Sequence, residues 1–181
     1  MEIVKNHFNP GRVVKSYKDI AAIVDEMIPF VDGGVDNGEY NSAFAISHSQ
    51  VSDDPWAFFV VNSKFIERPW KKGNYWPAHA IINPQILEAS DKIIIGKIGR
   101  PGIDERDDVR QNVRTYQEGC FSFPFRKPKN VRRYYKIKVR YQIKAWYGLK
   151  TITEEIEGLR AHIFQHEFQH SIGENIYIPK K

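Results

Sequence analysis

Five residues near the end of this 181-residue chain, His166-Glu167-Phe168-Gln169-His170, constrain its fold more than any other feature. Residues four apart face the same way on an α-helix, so both imidazoles can grip one metal ion. Glu167 is offset around the helix, where its carboxylate reaches a water on that ion rather than the ion itself. The spacing therefore predicts a helix from about Leu159 to Ile172, with Gly173 as its stop signal. His162 lies four residues earlier on the same face, but only two of the three histidines can normally share an ion. The outer pair is separated by about 12 Å of helix axis, too far for ligand bonds of about 2 Å. Pairing His162 with His166 would put Ile163 where the base belongs, so His166 and His170 are the expected ligands.

A catalytic site of this type needs a third protein ligand and an open position for water. The segment Glu118-Gly119-Cys120-Phe121-Ser122 holds the only cysteine of the chain, which cannot form an internal disulfide. From the residues alone Cys120 is either a buried small hydrophobe or a metal-bound thiolate, whose pKa the ion itself would lower.

The rest of the pattern is mixed. Ser16 precedes Tyr17 to Phe30, where Ile20, Ile23, Val24, Met27 and Ile28 recur at helical spacing, and Ser16 with Asp19 makes a capping-box start. Pro29 and the turn-rich residues 32 to 38 end that pattern. Short β-type runs follow at Ala43 to Ser47, Trp56 to Val61, Ala80 to Ile82 with Pro84 close behind, Ile93 to Ile95, Tyr134 to Tyr147 and Thr151 to Ile156. Residues 99 to 116 are charged and lack apolar periodicity, as in a long exposed loop. The expected fold is α+β: antiparallel or mixed β-sheets packed around a central metal-binding helix, with an N-terminal helix, all in one domain spanning residues 1–181.

No apolar run approaches the roughly 20 residues that span a bilayer, and the first residues lack a secretory signal. A soluble, cytoplasmic protein is expected. The formal net charge of +5 is mildly basic, without the dense clustering of a dedicated nucleic-acid binder. The one basic block, Arg126 to Arg133, continuing thinly to Arg140, reads as an exposed loop entering a strand with solvated charges, or as a phosphate-attracting surface.

In order along the chain stand Ala43-Phe44-Ala45-Ile46-Ser47-His48-Ser49-Gln50, Ile82-Asn83-Pro84, Glu118 to Ser122, Val131-Arg132-Arg133, and Gln165 to His170. This series resembles the peptide deformylases, which remove the formyl group from the N-terminal methionine of new polypeptides, through their G-x-G-L-A-A-x-Q, N-P, E-G-C-L-S, V-x-R and Q-H-E-x-D-H motifs. The likeness covers about residues 16 to 175. It implies Cys120, His166 and His170 as ligands of one divalent ion, Fe(II) natively, with Zn, Ni or Co able to substitute. Glu167 would be the proton-accepting base. Gln50, through its side-chain amide, and Phe121, through its backbone N–H, would stabilise the oxyanion. The substrate methionine would enter a pocket formed by Phe44, Ala45, Leu159, His162 and Ile163. Formyl-Met nascent peptides are the implied partners of a monomer that needs no membrane, with the basic surface available to the ribosome.

The sequence departs from the family pattern. Ala43 and Ala45 stand in place of glycines, Ser47 and His48 in place of alanines, Phe121 in place of Leu and Gln169 in place of Asp. About 18 extra residues precede Glu118. Two other readings use the same residues: a zinc endopeptidase, disfavoured because few residues follow Gly173 to bring a third ligand, and a catalytically impaired deformylase-like protein that binds peptides or RNA. In the short tail, Ile176 and Ile178 alternate around Tyr177 and predict an edge strand or extended segment rather than a docking helix.

Overall fold

The computed structural model describes residues 9–33, 43–67, 75–90, 93–95, 117–123 and 125–177. Its centre is an antiparallel sheet built from β1 (Ala45–Ser47), β2 (Phe58–Val61), β3 (Ala80–Ala89), β8 (Lys136–Ala145) and β9 (Gly148–Glu157), in the order β1-β2-β3-β8-β9. Two small antiparallel pairs flank it, β4 (Ile93–Ile95) with β7 (Arg132–Tyr134) and β5 (Gln117–Glu118) with β6 (Lys129–Asn130). Helix α1 (Ala21–Gly33) and helix α2 (Gly158–Ser171) pack on the sheet.

The run Phe58-Phe59-Val60-Val61 is apolar throughout because both faces of β2 are covered. Phe59 and Val61 join Ile81, Val139 and Tyr141 under Ala161, Ile163 and Phe164 of α2. Phe58 and Val60 join Ile46 and Ile82 against Val24, Met27 and Val31 of α1. Alternation of period two thus feeds two cores from one strand. The sheet between two helices is the expected α+β class, and α2 holds the central position.

Several boundaries differ from the sequence reading. Ser16 and Asp19 do form a capping box, but on a separate 3-10 turn, Tyr17–Asp19, before α1 begins. Helix α1 continues through Pro29 to Gly33. Proline has no N–H to offer the carbonyl of Asp25, yet burial of Phe30 and Val31 beyond it keeps the helix going. Strand β3 runs past Pro84 to Ala89, because a register shift between Ile82 and Gln85 makes an irregularity where a missing N–H costs no ladder bond. Asn83 takes a positive φ of 50° there. Its side chain accepts the Val14 N–H at 2.9 Å and donates to the Val14 carbonyl at 2.8 Å, pairing with the N-terminal segment as a strand backbone would.

The run from Tyr134 to Tyr147 is divided between β7 and β8, and the Tyr135 carbonyl at the break accepts the Gly158 N–H at the head of α2. Helix α2 ends as expected: Gly173 adopts φ 80° and donates to His170. The tail forms no strand over its described residues, 174 to 177. Tyr177 instead turns back on Asn175 Oδ1, and its ring packs edge-on to Phe123. Ile178, the turn from residue 34 onward and the 99–116 segment lie outside the described residues.

Candidate metal centre

Three elements separated in sequence meet at one point. Strand β5 and the turn after it carry Glu118, Cys120 and Ser122; α2 carries His162, His166, Glu167 and His170; a 3-10 turn after β1 carries Gln50. The donor atoms of Cys120, His166 and His170 all lie within 4.8 Å of one another. His170 Nε2 is 3.2 Å from His166 Nε2 and 3.3 Å from Cys120 Sγ. A tetrahedral ion with ligand bonds of about 2.0 to 2.3 Å sets its donors about 3.3 to 3.6 Å apart, so these residues fit one divalent cation. Burial, followed by the neighbouring His166, holds the pKa of His170 well below its ordinary value, leaving the neutral imidazole that metals bind.

The support behind the donors is dense. Glu118 Oε2 meets His166 Nδ1 at 2.8 Å, which turns Nε2 of that ring toward the cluster. Both Glu118 oxygens accept from Arg133, Oε1 from Nε and Oε2 from Nη2, each at 2.7 Å. His162 Nε2 contacts Oε1 as well. Burial alone would raise the Glu118 pKa, but hydrogen bonds from His162, His166 and Arg133 outweigh it and hold the carboxyl well below the usual range. Arg133 Nη1 also donates to Gln169 Oε1 at 2.8 Å, so Gln169 ties the arginine to α2.

Gln50 is 1% exposed. The Ser47 N–H donates to its Oε1 at 2.9 Å, and its Nε2 faces Ser122 Oγ at 3.1 Å and Cys120 Sγ at 3.7 Å. Those partners fix the amide with its N–H groups toward the thiol. Glu167 is equally enclosed. Burial pushes its pKa up to about 7, opposed by His166 and by the Ser47 backbone.

The family profile for polypeptide deformylase matches residues 8–178. The chain belongs to the polypeptide deformylase family. Curated relatives include the peptide deformylase of Thermotoga neapolitana, 36% identical over 97 residues, which is 52% of this chain and 43% of that protein. The aligned part is thus less than half the length of that relative. Among solved structures, a point mutant of Arabidopsis thaliana peptide deformylase 1B superposes with a TM-score of 0.67 at 20% identity, covering 100% of this chain and 81% of that one. Thermotoga maritima peptide deformylase gives 0.62 at 24%, covering 96% and 89%. These structures share the deformylase fold.

Against that family pattern, the structure brings Cys120, His166, His170, Glu167 and Gln50 together. The other sequence candidates are more scattered. Ala45 and Ile163 are buried in the core beneath α2, Leu159 and Phe44 are partly exposed, and the Phe44 ring lies 5.1 Å from Phe65. His162 is buried against Glu118. Phe121 sets its ring edge-on to Phe30 at 5.9 Å. His48, in a departed position, stacks on Phe58 and accepts the Trp56 N–H, so it serves packing.

One expectation needs correction. Arg133 of the basic block is not a solvated charge but is buried against Glu118. Glu118, Arg133 and Ser122 join the site without having been candidates from the sequence. The E-G-C and V-x-R motifs contained the first two, but their pairing across 15 residues is visible only in the fold.

Proposed function

We propose that the chain, as one catalytic unit, is a metal-dependent hydrolase that removes the formyl group from the N-terminal formyl-methionine of nascent polypeptides. The observation that carries this reading is the convergence of a Cys/His/His donor set with a buried carboxylate and an oriented amide. A bound divalent cation would supply Lewis-acid polarisation and ease deprotonation of water. The Glu167 carboxylate, with a pKa near the working pH, takes the proton of the attacking water and returns it to the leaving amine. Gln50 cannot swing freely, because Ser47 and Ser122 hold its two ends, so its amide N–H is preset for the developing oxyanion. We assign the backbone N–H of Phe121 the same role, and the substrate methionine to a pocket of Phe44, Ala45, Leu159 and Ile163. Products are formate and a free N-terminal methionine.

The native ion in this reading is Fe(II), with Zn, Ni or Co tolerated by the same ligands. The enzyme works as a cytoplasmic monomer. No helix among the described residues is long and apolar enough to cross a membrane. Any attraction to ribosomes falls to the exposed part of the basic segment, Arg126, Lys127, Lys129 and Arg132. It is electrostatic and weakens steeply with salt in co-sedimentation. The deciding experiment is hydrolysis of a formyl-Met tripeptide by protein purified anaerobically, with metal analysis. Formate release that tracks metal content supports the activity; a fully loaded protein that releases none refutes it.

A further inference from the structure

We propose that His162 is a positioning residue for the metal centre: it fixes Glu118, and through Glu118 the orientation of His166 and the placement of the segment bearing Cys120. The inference rests on the metal-hydrolase reading only in taking His166 and Cys120 as ligands.

The three histidines of α2 stand one helical turn apart, and the last two turn their Nε2 atoms toward each other. The first does something else. Residues four apart have Cβ atoms about 5 to 6 Å from one another, a gap that a carboxylate can bridge with one oxygen per ring. Glu118 does this: Oε2 meets His166 Nδ1 at 2.8 Å, and Oε1 meets His162 Nε2. A neutral imidazole protonated at Nε2 donates to that oxygen, just as Nδ1–H of His166 donates to the other.

Arg133 holds the plane of the carboxylate with two bonds of its own. Without His162 the carboxylate keeps the arginine but loses the partner that stops it rocking away from His166. His162 is 5% exposed, so no water is free to take over its bond from bulk solvent. Glu118 stands two residues before Cys120, so a carboxylate pinned to α2 also pins the thiol to the helix. A side chain that only lined the substrate pocket would have no reason to engage the far side of this carboxylate.

The test needs no turnover. Apoprotein is titrated with Co(II), its absorption spectrum recorded, and the ion then removed by a competing chelator. His162→Leu is expected to weaken Co(II) affinity about 10- to 100-fold and to hasten release. His162→Gln, whose amide can still donate to Oε1, recovers most of the loss. In a Glu118→Gln background His162→Leu adds little, because its effect passes through that carboxylate. Unchanged affinity in His162→Leu, or its full effect in the Glu118→Gln background, overturns the proposal.

Should His162→Leu not fold, ring-nitrogen NMR of the Zn-loaded wild type decides. Protons on His162 Nε2 and His166 Nδ1 are expected, and a bare His162 Nε2 is incompatible with the proposal. With saturating metal, His162→Leu should lower kcat for a formyl-Met peptide at unchanged KM, whereas a pocket-lining residue would raise KM. If wild type binds Co(II) as expected yet hydrolyses no formyl-Met peptide, the activity reading fails while the positioning role stands.

Discussion

Glu167 shows how one residue's surroundings set its chemistry. A carboxyl on a solvated helix would stay ionised near neutral pH, whereas burial brings this one to about 7, where it can both accept and return a proton. Glu167→Gln should therefore keep its metal, by elemental analysis, and lose about 10²- to 10⁴-fold in turnover. Cys120→Ser should change the metal instead, with weaker retention and an altered Co(II) spectrum, since a hydroxyl is a poor substitute for a thiolate. His48 carries a pH signature away from the ligands. Burial, and then Arg12, push its pKa down to about 4 from an ordinary 6.5. The unfolded chain thus binds this proton more readily, so the contribution is complete above pH 6.5 and fades as pH falls toward 4. Denaturant titrations at pH 7 and pH 5 should show a smaller loss in His48→Gln than in wild type. The meeting of His166 and His170, with Glu167 beside them, was legible in the sequence because helical spacing alone puts the three in register. The pairings of Glu118 with Arg133, His162 and His166 were not, because a carboxylate's partners 15 to 48 positions away are chosen by the packing of β5, β7 and α2.

Elements were legible where periodicity was strong and blurred where packing overrode a local rule. Helix α2 falls within a residue of its expected span because Gly173 supplies the left-handed stop. Proline signals misled twice, ending α1 and β3 too early. In α1 the sheet-facing Phe30 and Val31 prolong the helix despite the lost bond. Pro29→Ala should restore that bond and stabilise the protein by about 1 kcal/mol, raising Tm by about 2 to 4 °C. In β3 the irregularity exists for Asn83, whose amide clasps Val14 and Gln142. Asn83→Ala should cost about 2 to 3 kcal/mol in a chemical denaturation curve, three hydrogen bonds at about 1 kcal/mol each. Asn83→Gly, although freed of the positive φ, should rescue little of it.

For the whole molecule, the α+β class was legible in the order of an early helix, several short β-type runs and a late helix, while the covering of both faces of β2 emerged only in the fold. The order β1-β2-β3-β8-β9 was not legible, since nothing local tells β3 to pair with a strand more than fifty residues later. A ligand held by the folded state alone stabilises that state by mass action. Zn(II) at a free concentration 100-fold above its Kd should add about 2.7 kcal/mol, seen as a higher Tm that a chelator reverses. The donor set has a topological consequence too. Cys120 and His170 are 50 positions apart, and an ion that grips both closes the intervening chain into a ring. By the loop-closure relation used for cross-links, a ring of that size removes about 4 kcal/mol of chain entropy from the open form. The hairpin of β8 and β9 lies within this ring, and Trp146 at its turn is 96% exposed. A protease that cuts there opens the ring without severing the tether: the two fragments remain joined at the ion.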